Sequence, residues 1–95
     1  MAVKFKYMPS LKQSYERQGE IFFTCRNYKH LAHAEKVRID LICAECAKGD
    51  SYKRRAIFAF MTTGASWREC CMKYHISDST LERLRKEFFR LWEVM

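Results

Sequence analysis

The chain has 95 residues, a net charge of +7 and an apolar share of 48%, with 15% aromatic residues. That apolar share excludes disorder as the main state, and the length predicts one domain over residues 1–95 that buries about two-thirds of its unfolded surface. One Pro and three Gly argue against long flexible linkers, and no apolar run is long enough for a leader or a membrane span.

Residues 1–30 read as a basic N-terminal arm with a short helix and an extended segment. Val3, Phe5 and Tyr7 alternate with Lys4 and Lys6, the period of a short strand or extended arm. Met8-Pro9 breaks it. Ser10 followed by Gln13 is a capping box, which predicts a helix from about Leu11 to Gln18 ended by Gly19. Glu20 to Cys25 is compact and β-prone, and reads as extended chain.

From about His33 to Lys48, Ile39, Ile42, Cys43, Cys46 and Ala47 fall on one helical stripe. Gly49 is its predicted end, and Asp50 or Ser51 caps a helix from about Tyr52 to Thr63. Ala56, Ile57, Phe60 and Met61 face inward there, and Gly64 ends it. Ser66 and Glu69 form a second capping box. Trp67, Cys70, Cys71 and Tyr74 follow at helical spacing. His75-Ile76-Ser77 interrupts, and Ser77 or Ser79 caps a long last helix carrying Leu81, Leu84 and Phe88 on one face.

Residues Ser66 to Lys86 resemble the helix-turn-helix of bacterial and phage transcriptional regulators, including the promoter-reading region of sigma factors. Cys71 stands at the small position of the first helix and Ile76 at the apolar position after the turn. Ser77 opens the second helix, followed by Thr80, Leu81 and Leu84. The turn, where the family has Gly, holds His75. A left-handed backbone there costs about 1 kcal/mol relative to Gly. The resemblance implies a mainly α fold: a three-helix helix-turn-helix unit over residues 52–95, an additional N-terminal helix and a short extended arm.

Charge is uneven. Residues 1–30 carry a net +4, residues 31–65 a net +2 and residues 66–95 a net +1. The basic excess therefore lies in the arm and at Lys53, Arg54 and Arg55, outside the last helix. A basic chain favours an acidic partner such as nucleic acid. The helix-turn-helix resemblance implies that Ser77, Ser79 and Thr80 reach phosphates or base edges. It implies that Glu82, Arg83 and Lys86 project one turn on, Arg83 reading guanine and Glu82 cytosine. Lys53, Arg54, Arg55 and Arg68 then position the DNA backbone. Asp78 and Glu82 oppose this reading, being carboxylates beside phosphates.

Leu81, Leu84, Phe88, Leu91 and Met95 continue at heptad spacing. This seam packs on the helix of residues 33–48, or forms a homodimer contact through Phe88, Leu91, Trp92 and Met95.

Five Cys without a leader predict reduced thiols in the cytoplasm. His30, His33, Cys43 and Cys46 are zinc-ligand types, but their order and gaps do not match a common finger. Cys43 and Cys46 also lie on the apolar stripe, where thiols act as small hydrophobes. Cys25 with His30 or His33 is a conceivable nucleophile–base pair that nothing nearby activates. No Gly-rich phosphate loop is present. The expectation is no enzyme, no cofactor and no bound metal. The sequence points to a sequence-specific protein of double-stranded DNA, a small regulator of bacterial or phage type. The rival is a protein-interaction module on the same frame that has lost DNA binding; an RNA binder would lack any signature sequence.

Overall fold

The computed structural model describes Phe5 and residues 7–95. Five α-helices and one 3-10 turn make up the regular structure there: α1 Tyr15–Arg26, the turn Tyr28–His30, α2 His33–Ala47, α3 Ser51–Thr62, α4 Trp67–Lys73 and α5 Asp78–Trp92. Val3, Lys4 and Lys6 of the expected arm lie outside the described residues, and no strand forms at Phe5 or Tyr7.

The N-terminal expectations are the ones to correct. The first helix starts at Tyr15, capped by the Ser14 hydroxyl, which accepts from the Arg17 N–H at 3.1 Å. It passes through Gly19 and takes in residues 20–25. The reason is a stripe that includes a polar residue: Gln18, Ile21, Phe22 and Cys25 are all buried and stand at i, i+3, i+4 and i+7. Gln18 is fully buried, with its amide bonded to the backbone of the preceding segment. Its Oε1 accepts from the Met8 N–H at 2.8 Å, and its Nε2 donates to the Met8 and Gln13 carbonyls at 2.9 and 3.0 Å. The segment before α1 is thereby satisfied by a side chain rather than a ladder. Gln13 opens no helix; its Nε2 donates to the Phe89 carbonyl in the last turn of α5 at 2.7 Å and to Glu93 at 2.9 Å.

The later elements match their caps. α2 ends in two left-handed residues, Lys48 (φ 49°) and Gly49 (φ 91°). Asp50 then caps α3 through the N–H groups of Tyr52 and Lys53, at 2.9 and 3.1 Å. Ser66 and Glu69 close the reciprocal capping box of α4.

One apolar cluster draws on all five helices, with Ile21, Ile39, Ile42, Ile57, Met61, Cys70, Leu81, Phe88 and Phe89 at or near full burial. α3 packs against α2, α4, α5 and α1, and α5 also packs against α2. Phe88, Leu91 and Trp92, offered above as a homodimer contact, are buried inside the chain itself. Arg38 of α2 donates to the Trp92 carbonyl and stacks 4.2 Å over its ring, which closes the end of α5. Met95 lies beyond the helix, exposed. The last turn of α5 is also held from the other side, where Arg17 donates twice to the Glu93 carboxylate at 2.8 Å. No described helix is long and apolar enough to cross a membrane.

Candidate nucleic-acid interface

The α4–α5 connection is built by local chemistry. α4 stops at Tyr74, His75 takes a left-handed conformation (φ 56°), and the Ile76 N–H reaches back to the Cys71 carbonyl at 3.1 Å. That six-to-one bond satisfies an orphan carbonyl of α4 and reverses the chain. His75 does here what Gly does more cheaply. Ser77 follows as the N-cap of α5, its Oγ accepting from the Thr80 N–H at 3.1 Å. The same hydroxyl donates to Thr80 Oγ1 at 2.8 Å and lies 3.2 Å from Ser79 Oγ. Ser77 is therefore committed to starting the helix, and Ser79 is the freer hydroxyl.

The carboxylates of α5 all have partners. Asp78 accepts from the Trp67 indole N–H at 3.1 Å and from the Cys71 thiol at 3.5 Å, fastening α4 to the first turn of α5. Glu82 accepts from Arg85 at 2.7 Å and lies 4.0 Å from Lys86. Glu87 is gripped by Arg90 at 3.0 and 2.5 Å, and that bond holds its carboxyl below the ordinary range. Arg83 is exposed and has no carboxylate partner among the described residues.

The expected residues fall into four groups, with Arg83 shared by the first two. Lys53 and Arg83 line one groove of about 340 Å³, together with Lys48, Leu84 and Glu87. Ser79, Glu82, Arg83 and Lys86 line a second stretch along α5 that reaches Arg90. Arg54, Arg55 and Arg68 are exposed but line neither. Ser77 and Thr80 sit at the start of α5, joined to each other.

Two basic residues escaped the sequence reading. Lys48 follows α2 as its left-handed C-cap and lines the groove of Lys53 and Arg83. Arg85 is 5% exposed, and its guanidinium lies 5.2 Å from the Trp67 ring centre. Burial lowers its pKa, and Glu82 opposes that shift. A signal for Arg85 was present in its register, four residues after Leu81 and three before Phe88. A cation on an apolar stripe needs a partner, and Glu82 stands one turn before it.

The metal-ligand types do not converge. Cys43 and Cys46 are buried on the inner face of α2, whereas His30 and His33 are exposed. Among the described residues no group of three or more His, Cys, Asp or Glu could hold a metal ion. Burial pushes the Cys25 and Cys46 thiols up to about 12 and raises Cys43 as well, far from the values of reactive thiolates. Cys71 is the partly exposed thiol of the five. No protein-family model, curated protein or solved structure matches this chain.

Proposed function

We propose that the chain is a small sequence-specific binder of double-stranded DNA, a transcriptional regulator of bacterial or phage type, with α5 as the reading helix. The observation that carries this reading is the charge balance of α5. Each of its carboxylates has a hydrogen-bond or ion-pair partner within the chain, whereas Arg83 has no carboxylate partner among the described residues, and Lys48 and Lys53 flank that arginine. Of the two residues that oppose this reading from sequence, Glu82 is paired with Arg85 and Lys86, while Asp78 is held by the neutral Trp67 indole and Cys71 thiol and keeps its charge. Arg83 reads a base edge in the major groove, and Lys48 and Lys53 take phosphates beside it. Ser79 and Lys86 extend the contact along the helix.

Anisotropy titration of labelled duplex at several salt concentrations tests this. Counterion release predicts that affinity falls steeply as salt rises, by a log–log slope of about −0.9 for each phosphate neutralised. Arg83→Ala should cost about 1–3 kcal/mol on the preferred site and relax the choice of base there. Lys53→Ala should weaken all duplexes alike and flatten the salt slope by about one unit. Parent protein that binds no duplex at low salt would leave the second reading, a protein-interaction module. That reading is favoured by Val37 and Leu41, which are 39% and 56% exposed one turn apart on the outward side of α2.

A further inference from the structure

A cavity of about 540 Å³ opens between α3, α4 and the first two turns of α5. Its walls are chemically unlike the grooves described above. Phe60 and Trp67 meet edge to face at 5.3 Å and supply an aromatic wall. Arg85 lines the same space, with a side chain only 6% exposed. Its Nη2 is spent on Glu82, but its Nε is buried without any hydrogen-bond partner. A buried guanidinium N–H with no acceptor is costly, and native proteins rarely leave one. The volume is within the range of small-molecule sites, which combine apolar walls with a few convergent polar groups.

We propose that this cavity binds a small aromatic carboxylate, its ring against Phe60 and Trp67 and its carboxylate on the Arg85 guanidinium. Two carboxylates of the protein, Asp78 and Glu82, also line the space. Asp78 is held by the Trp67 indole and the Cys71 thiol at the N-terminus of α5, whose dipole favours negative charge. Glu82 is the group that the ligand displaces. Released from Arg85, it retains only Lys86, at 4.0 Å. This second step rests on the DNA reading: a freed Glu82 on the reading helix repels phosphate, so the ligand weakens DNA binding.

The experiment uses the full chain and three probes of one shape: phenylacetate, phenylacetamide and phenethylamine. Each is titrated against the protein while the Arg85 Nε–H and Trp67 indole N–H resonances are followed. Phenylacetate should move both saturably, the amide should bind at least tenfold more weakly, and the amine should give no saturable shift. Arg85→Met removes the anion anchor and should abolish phenylacetate binding. Ser79→Phe changes an exposed residue of the lining, plugs the mouth and keeps Arg85, so it decides the matter if Arg85→Met does not fold. Equal binding of the amide, tighter binding of the amine, an unmoved Arg85 Nε–H, or undiminished affinity in Ser79→Phe overturns the site. Phenylacetate should also lower the affinity for duplex DNA by about tenfold. Protein that binds phenylacetate but no DNA defeats the DNA reading and leaves the cavity site standing. Protein that binds DNA but not phenylacetate does the reverse.

Discussion

The indole N–H of Trp67 donates to the carboxylate of Asp78 at 3.1 Å, and with it the first residue of α4 holds the first residue of α5. The bond ties the two helices together beside their shared turn. Asp78→Ala removes it, along with a favourable charge at a helix N-terminus. The expected loss is about 1–2 kcal/mol, from one charged hydrogen bond plus the dipole contribution. Asp78→Asn keeps an acceptor and should lose less than half of that. Urea midpoints of the two variants check the order, and equal losses would show that the indole bond contributes nothing.

Overpacking separates the adjacent thiols. Cys70 is 1% exposed within the core, whereas Cys71 is half-buried and points its thiol at Asp78. The sequence resemblance put Cys71 at the tight position between the helices. In the structure Cys70 is the more deeply buried of the two. Cys70→Leu should destabilise by about 1–3 kcal/mol. Cys71 is only partly buried at the edge of the core, so Cys71→Leu should cost less than Cys70→Leu in the same thermal melt.

The His75 backbone (φ 56°) gives a third test. A β-branched residue is poorly suited to a left-handed conformation, so His75→Val should cost about 1–2 kcal/mol. His75→Asn, which tolerates that region, should melt within a few degrees of the parent. If Val and Asn melt together, the turn has another conformation in solution.

Stability should narrow at both ends of the pH scale. Hydrogen bonds from Arg17 and Gln13 hold the Glu93 carboxyl down, from the ordinary 4.5 to about 2. A depressed carboxylate stabilises the fold above its ordinary value, and that stability fades as pH falls from 4.5 toward 2. Glu93→Gln should therefore flatten the acid limb of a melting-temperature profile. The thiols act in the opposite direction. Burial raises Cys70 from 9 to about 11, and Cys25 and Cys46 to about 12. Their contribution is complete below 9 and is lost as pH rises through 11 to 12. Alkaline melts with Cys46→Ala should show a shallower decline than the parent.

Helix boundaries after residue 30 were legible because caps are local. Asp50, Ser66, Glu69 and Ser77 need only the next three residues to do their work. The N-terminal third was misread because its decisive bonds are long-range. Gln18 looks like an exposed residue until Met8 folds over it. Gln13 looks like a cap until Phe89 and Glu93 arrive to claim its amide. Arg83 as an outward cation follows from the helix-turn-helix resemblance, whereas the burial of Arg85 is signalled only by its place on the apolar stripe between Leu81 and Phe88, and its stacking on Trp67 needs the fold. The pairing of every α5 carboxylate was invisible to a count of charges, which sees signs but not distances.

The bonds from Gln13 and Arg17 to Glu93 span 80 and 76 residues. During synthesis, neither can form until the last turn of α5 has emerged from the ribosome. The caps between α2 and α3 need no such wait, so that pair has its local signals in hand first. Phe5, in the segment before α1, meanwhile lacks Phe89, against which its ring packs at 6.4 Å. A nascent chain stalled before Glu93 should thus hold a partly formed helical pair and a loose, protease-sensitive beginning. The contact of Gln13 and Arg17 with the last turn of α5 therefore closes after the local caps have formed.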